Sequence, residues 1–160
     1  MKEIIDLDEI DLEILQQLQT DSSISNVKLS EMVSLSPPSV HSRIKRLQQL
    51  GLIRGYTALL DREKLGLDML FFIQVSVRDY SSQHAQTFKE QIIKMPKVLE
   101  CHHITGEFDY LLKVVVRNKG ELQHFLQERL AALGGVERVH TSLSVMEVKA
   151  THQLPLQKKS

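Results

Sequence analysis

The chain has 160 residues, of which 42% are hydrophobic and 25% charged, a balance that excludes disordered and fibrous proteins. A single Cys excludes an internal disulfide framework, and no apolar run is long enough for a transmembrane helix, so we expect a cytoplasmic protein. The 20 Lys and Arg balance 20 Asp and Glu, which argues against a protein that coats a polyanion through its overall positive charge. Any contact with nucleic acid must therefore depend on the local arrangement of charges.

The N-terminal third predicts three short helices and a hairpin. Asp8 is a candidate N-cap of the first helix, and a second short helix ends near Leu35. Ser36 caps the third helix, which has Pro37 in its first turn and ends at Gly51. Beyond it, two short apolar stretches, Leu52-Ile53 and Tyr56-Thr57-Ala58, flank the candidate turn Arg54-Gly55 and predict a wing.

The third helix is the candidate DNA-reading element. No acidic residue occurs between Met32 and Leu60, and its outward face carries hydroxyl, amide, imidazole and cationic groups that suit a major groove. We expect hydroxyls near its start to read bases, Arg43 and Arg46 to clamp phosphates, and Arg54 to reach the backbone or an adjacent groove. The predicted DNA contacts are Ser36, Pro38, Ser39, His41, Ser42, Arg43, Lys45, Arg46, Gln49 and Arg54.

Two alternatives to this interpretation stay open. An ordinary polar surface helix does not require the absence of acids, but it does not forbid it. Arg43 lies closest to the buried side of the helix, so it can pair with a carboxylate of the first helix instead of DNA.

The remainder of the chain predicts an α+β domain. After a polar connector, the apolar pattern gives strand, helix, strand, strand, helix and strand, a ferredoxin-like βαββαβ order. The second and last strands are expected over Val98–Thr105 and Val136–Val148. We therefore predict a DNA-binding domain over 1–60, a linker over 61–68, a sheet domain over 69–150 and a frayed tail over 151–160.

One face of the predicted sheet has no helix to cover it. Its candidate residues are Leu70, Phe72, Gln74, Leu111, Lys113 and Val115. An apolar patch of this kind favours a second copy of the chain, so we expect a symmetric dimer through the sheets, which also supplies two DNA-reading helices.

The segment Gly106-Glu107-Phe108-Asp109 is a candidate amino-acid site. Glu107 and Asp109 can accept from an ammonium group, and the loop N–H groups can donate to a carboxylate. A plain hairpin turn, with Gly and Asp in their usual roles, is the alternative. No metal spacing, nucleophile–base pair or phosphate-binding motif occurs, so we expect neither enzyme activity nor a cofactor.

Several segments together resemble the Lrp/AsnC (feast/famine) transcriptional regulators. The similarity extends from about Leu7 to Lys149 and rests on four segments: Leu7-Asp8-x-x-Asp11-x-x-Ile14-Leu15-x-x-Leu18; Ser25-Asn26-Val27-x-Leu29-Ser30 with Leu35-Ser36-Pro37; Val40-x-x-Arg43-Ile44-x-Arg46-Leu47 through Gly51-Leu52-Ile53-x-Gly55-Tyr56; and Gly106-Glu107-Phe108-Asp109-Tyr110-Leu111 with Met146-Glu147-Val148-Lys149.

The resemblance implies a winged helix-turn-helix joined to a RAM domain. In that family the RAM domains dimerise by their sheets, dimers associate further, often into octamers, and an amino-acid effector binds between dimers near this loop. By position the implied effector contacts are His102, Ile104, Gly106, Glu107, Asp109, Ser142 and Ser144. Pro38-Ser39-Val40-His41 departs from many relatives, so the operator sequence does not transfer.

We therefore expect a sequence-specific regulator that binds double-stranded DNA and responds to a free amino acid. An architectural DNA-binding protein with constitutive assembly is the first alternative. A ferredoxin-like ligand-binding or catalytic module, whose N-terminal part contacts only proteins, is the second.

Overall fold

The computed structural model describes residues 5–78 and 83–156, which fall into two compact units. The described residues up to Leu59 and those from Lys149 onward form the first unit, and Leu60–Val148 form the second. Within these ranges, none of the helices combines the length and apolar character needed to cross a bilayer.

Three helices make up most of the first unit: α1 (Glu9–Thr20), α2 (Asn26–Met32) and α3 (Pro37–Gln49). The predicted caps are confirmed, since Asp8 Oδ1 accepts from the Asp11 N–H at 2.7 Å and Ser36 Oγ accepts from the Ser39 N–H at 3.4 Å. The predicted end of α3 is also confirmed, because Gly51 has a φ of 70°.

The turn between α2 and α3 contains a strained backbone position. Ser34 has a φ of 54°, a left-handed conformation that is uncommon for a residue with a Cβ atom. α2 ends at Met32, earlier than predicted, so that this turn can redirect the chain into α3. The helices enclose a small apolar core made of Ile14, Leu15, Leu29, Val33, Val40 and Leu47.

The two short strands predicted on either side of Arg54-Gly55 do not form. No strand lies between residues 51 and 60, all of which are described. A two-residue hairpin turn needs a positive φ at its first central position, and Arg54 does not adopt one. The chain continues here without strand pairing.

The tail is docked instead of frayed. Gln19 accepts from the Leu154 N–H at 2.6 Å and donates to the Leu154 carbonyl at 3.2 Å, and Gln153 Nε2 donates to the Gln19 carbonyl at 3.1 Å. Leu156 packs against the core of the helices. The expectation of a disordered end was wrong at these residues, because α1 offers both amide partners and an apolar edge.

The second unit is a four-stranded antiparallel sheet with helices. Its elements are β1 (Met69–Val77), α4 (Gln83–Ile92), β2 (Val98–His103), β3 (Tyr110–Val116), α5 (Lys119–His124), which continues as a π-helical turn (Phe125–Leu130), and β4 (Val136–Leu143). The strand order is β2-β3-β1-β4, and every pairing is antiparallel. The βαββαβ order predicted from the apolar pattern is therefore confirmed.

Alternate residues of β1 and β3 form the core of this unit. Phe71, Ile73 and Val75 on β1 lie opposite Val114, Leu112 and Tyr110 on β3. Phe88 of α4 and Phe125 pack against them and are buried. This face of the sheet corresponds to the apolar alternation that the sequence displays.

Two strands end earlier than predicted. β4 ends at Leu143, and β2 ends at His103. The Ser144 N–H donates to the Leu70 carbonyl at 2.9 Å, and β1 begins only one residue earlier, at Met69. Residues beyond Ser144 therefore have no β1 partner with which to extend the ladder.

The outer sheet face is only partly exposed. Phe72 is 38% exposed, whereas Leu70 and Val115 are already buried within a single chain. Gln74, Leu111 and Lys113 are half-buried. The apolar area left for another copy therefore centres on Phe72 and the middle of the sheet.

Candidate DNA-reading and effector sites

The outward face of α3 is polar and accessible. Of the residues predicted to contact DNA, all are exposed except Arg43, which is half-buried. Val40 and Leu47 anchor the opposite face in the core, so the helix presents Ser39, Ser42 and Lys45 away from it. No ion pair involves Lys45 within the described residues, so its cation is available to a phosphate or a base.

A buried carboxylate joins α1 to α3. Asp11 is 1% exposed and accepts from Arg43 Nη1 at 2.8 Å and from Arg46 Nη1 at 2.8 Å. Arg43 Nη1 also donates to Asp8 Oδ2 at 2.7 Å. Arg43 thus adopts the alternative interaction with the first helix, and Arg46 shares it.

The same contacts change the acidity of two groups. The Asp11 N–H and then the Arg43 guanidinium hold the pKa of Asp8 below its ordinary value. Hydrogen bonds to Asp8 and Asp11 raise the pKa of Arg43 above its ordinary value. Both shifts favour the ionised pair, so these charges fix the position of α3 on α1.

A groove beside α3 includes residues that the sequence did not single out. It has a volume of about 490 Å³ and is lined by His41, Lys45, Gln48, Asn26 and Tyr56, among others. Asn26 Nδ2 lies 3.5 Å from His41 Nδ1. A distance of fifteen positions along the chain separates these two residues, so helical periodicity could not pair them.

The loop between β2 and β3 reaches across β1 toward β4. Arg138 Nη1 donates to Glu107 Oε1 at 2.8 Å, and Nη2 donates to the Glu107 carbonyl at 2.9 Å. The Arg138 guanidinium lies 5.0 Å from the centroid of the Phe108 ring. Arg138 is a contact of the candidate effector loop that sequence reasoning missed.

The second carboxylate of the loop has a structural partner. Asp109 Oδ2 accepts from the Val77 N–H at 2.8 Å, and the Asp109 N–H donates to the Val75 carbonyl at 3.0 Å. Gly106 has a φ of 122°, a conformation that residues with side chains rarely adopt. The turn roles of Gly and Asp are thus present, and Glu107 keeps the more accessible carboxylate.

Of the two predicted effector contacts on the strand side of the loop, His102 pairs with a neighbour on β2, whereas Ile104 belongs to the loop. His102 Nε2 is 3.1 Å from Glu100 Oε2, and Lys113 Nζ is 3.3 Å from Glu100 Oε1, which together lower the pKa of Glu100. The Ile104 N–H donates to the Asp109 carbonyl at 2.9 Å, which closes the loop.

Two of the predicted effector contacts are remote from the loop within one chain. Ser142 is opposite Phe72, and the Ser144 N–H bonds to Leu70, at the other end of β1 from Val75 and Val77. The structure therefore brings together Gly106, Glu107 and Asp109 with Ile104, but not Ser142 and Ser144. In the described part of the chain, no cluster of three or more His, Cys, Asp or Glu side chains could hold a metal ion.

Two family profiles match consecutive parts of the chain. Residues 7–54 match a winged helix-turn-helix DNA-binding domain, and residues 70–154 match the Lrp/AsnC ligand binding domain. Each match coincides with one of the sites described above: the first includes α3, and the second includes the loop of Glu107.

Sequence relatives extend over nearly the whole chain. It is 37% identical to the leucine-responsive regulatory protein of Rhizobium meliloti (strain 1021), over 95% of this chain and 97% of the relative. It is 39% identical to the leucine-responsive regulatory protein of Escherichia coli (strain K12), over 93% of this chain and 91% of the relative.

Solved structures share the architecture. A transcriptional regulator of Neisseria meningitidis, solved as a complex with L-Met, is 38% identical and superposes with a TM-score of 0.90 over 94% of this chain and 97% of that one. AsnC of Escherichia coli superposes with a TM-score of 0.87 over 94% of this chain and 100% of its own, at 21% identity, a similarity of fold.

Proposed function

Because this chain belongs to the Lrp/AsnC family of DNA-binding transcriptional regulators, we propose that it reads DNA with the outward face of α3 and responds to a free amino acid. The observation that carries the proposal is the exposed, acid-free α3 surface with an unpaired Lys45, held on α1 by buried ion pairs. The two arginines in those pairs position the helix, and Ser39, Ser42, Lys45 and Gln49 contact the groove.

The amino-acid response is supported by the ligand-binding domain and by the relative solved with L-Met. An amino acid changes regulation only if it binds one assembly better than another. We propose that the amino acid binds at the loop containing Glu107, with a different affinity in each assembly. We also propose that the whole protein works in the cytoplasm without enzyme activity.

The DNA proposal is tested with the full chain and a library of duplexes whose centre is randomised. After selection, fluorescence anisotropy measures the affinity for an enriched duplex over a series of salt concentrations. Lys45→Glu should weaken binding about tenfold to hundredfold and reduce the magnitude of the salt slope by about one.

Lys64→Glu is the matched control, because it makes the same charge change in the connector, where Lys64 is exposed and outside α3. It should alter the affinity by less than about twofold. Equal loss in both variants, or in neither, would overturn α3 as the reading element. Salt-dependent binding without any enriched sequence would instead support the architectural alternative.

Assembly is the third component of the proposal. We propose a dimer formed through the outer sheet face around Phe72, with further association of dimers. Light scattering on the full chain, with and without each standard amino acid, measures the assembly. Phe72→Glu should lower the molecular mass of the assembly, and an unchanged mass would exclude this face.

A further inference from the structure

Arg138 on the edge strand β4 has two kinds of contact with the effector loop. Its Nη2 bonds to a backbone carbonyl at 2.9 Å and lies 3.5 Å from Ser76 Oγ, whereas its Nη1 bonds to the Glu107 carboxylate at 2.8 Å. That carbonyl belongs to Glu107, and Ser76 is buried on β1, so the Nη2 side of the guanidinium is held by the loop backbone and lies against the sheet. The Nη1 side is held only by a side chain.

The ion pair on the Nη1 side is easy to open. The Arg138 side chain is 54% exposed and that of Glu107 is 72% exposed. Pairs with this degree of exposure add little stability, because water solvates both partners when they separate. The guanidinium also has more N–H donors than these contacts use, and its planar fork matches a carboxylate.

A free amino acid is complementary to the two charges of this pair. Its α-carboxylate fits the guanidinium, and its α-ammonium group fits the carboxylate that the guanidinium releases. Asp109 is a poorer acceptor for the ammonium group, because one of its oxygens already accepts from the Val77 N–H. In the described part of the chain, no backbone N–H donates to the Glu107 carboxylate.

We propose that Arg138 is the carboxylate anchor of the effector site: an amino acid enters the Arg138–Glu107 pair, with its carboxylate on Nη1 of Arg138 and its ammonium on Glu107. The Nη2 contacts and the Phe108 ring keep the guanidinium in place while Nη1 exchanges partners. This inference rests on the proposed amino-acid response and specifies the group that the site must recognise, a free α-carboxylate.

The experiment uses the full chain and isothermal titration calorimetry. Each standard L-amino acid is titrated first, and the tightest binder is then compared with its α-carboxamide, which has the same side chain and ammonium group but no carboxylate. The wild-type protein should prefer the acid to the amide. Arg138→Gln should reduce this preference about tenfold to hundredfold, while binding of the amide changes little.

Two further variants separate anchoring from support of the loop. Arg138→Lys keeps the charge without the fork and should retain part of the preference for the acid. Arg78→Gln is the matched control, because Arg78 directly follows β1 and forms an exposed pair at 2.9 Å with Glu137, the residue before Arg138 on β4. It should keep the full preference.

The outcomes distinguish this inference from the proposal on which it rests. If Arg138→Gln weakens the acid and the amide equally, Arg138 only supports the loop and the inference is wrong. If the variant binds both the acid and the amide as tightly as the wild-type protein does, the inference is wrong while the amino-acid response stands. If no amino acid binds to the wild-type protein, both are overturned.

Discussion

Two of the arginine–carboxylate groupings in the described part of the chain have the same chemistry at opposite degrees of exposure. Asp11 is enclosed between α1 and α3 with two guanidinium groups, whereas Glu107 and Arg138 meet at the surface of the sheet unit. A buried carboxylate that loses its partners is costly, so the first cluster fixes a structure. An exposed pair separates at little cost, so the second can exchange one partner for a ligand.

The largest effect that tests this contrast is expected at the buried cluster. Asp11→Ala leaves two guanidinium groups without their shared acceptor, and it should lower the free energy of unfolding by about 2–3 kcal/mol. The loss stays below that of a fully buried pair because both arginines reach solvent and can turn to it. Urea unfolding of the full chain followed by circular dichroism measures it. If Asp11→Ala lowers the free energy of unfolding no more than a surface substitution does, the buried cluster does not fix the structure more strongly than the exposed one.

The docked tail gives a smaller effect in the same unit. Leu156→Ala removes apolar surface from the edge of the helical core, which should lower the free energy of unfolding by about 1 kcal/mol. Leu154→Ala is the control, because Leu154 is 69% exposed and bonds through its backbone. Its unfolding midpoint should stay close to that of the wild-type protein. Equal midpoints for all three proteins would show that the tail adds no stability.

The stability that Asp8, the more exposed carboxylate beside Arg43, contributes to the fold should depend on pH. The folded-state pKa of Asp8 lies below the ordinary 3.8, so its charge stabilises the folded state fully above about that value. This contribution is lost as the pH falls through the lower folded-state pKa. Asp8→Asn keeps a capping side chain without the charge, so its difference from wild type should shrink below pH 3.8. Urea midpoints over an acidic series check this, and a constant difference would contradict it.

The smallest effect is expected at the exposed cluster. Arg138→Gln should change the free energy of unfolding by no more than about 0.5 kcal/mol, because the pair that it breaks is solvated on both sides. The same urea measurement applies. A loss comparable to that of Asp11→Ala would mean that Arg138 is a structural residue, and the exchange of partners at Nη1 would be untenable.

Local features of the sequence predicted most of the fold. The caps at Asp8 and Ser36 and the left-handed Gly51 depend on residues at most a few positions apart, and each was found in place. The apolar alternation of β1 and β3 identified the sheet and its buried face. Residues 7–54 match a winged helix-turn-helix domain as predicted, but the strand-paired hairpin at Arg54-Gly55 was wrong, because Arg54 does not adopt the positive φ that such a turn requires.

Contacts between distant segments were predicted only in part: the sequence allowed Arg43 to pair with a carboxylate of the first helix but did not identify which one. Asp11 and Arg46 are separated by 35 positions, and Glu107 and Arg138 by 31. Periodicity placed Arg43 beside the buried side of α3 but could not establish that Asp11 is its partner. Arg138 lies on a strand whose pattern carries no binding motif, so only its position opposite the loop identifies it.

The docked tail also affects how the protein can be labelled. The described residues before Leu60 and those after Val148 belong to the same unit, so the sheet unit is an insertion within the helical one. A fluorophore attached at Leu154 therefore reports on the surroundings of α1 and not on the end of β4. Any fusion partner joined after the tail would be carried by the half of the molecule that meets DNA.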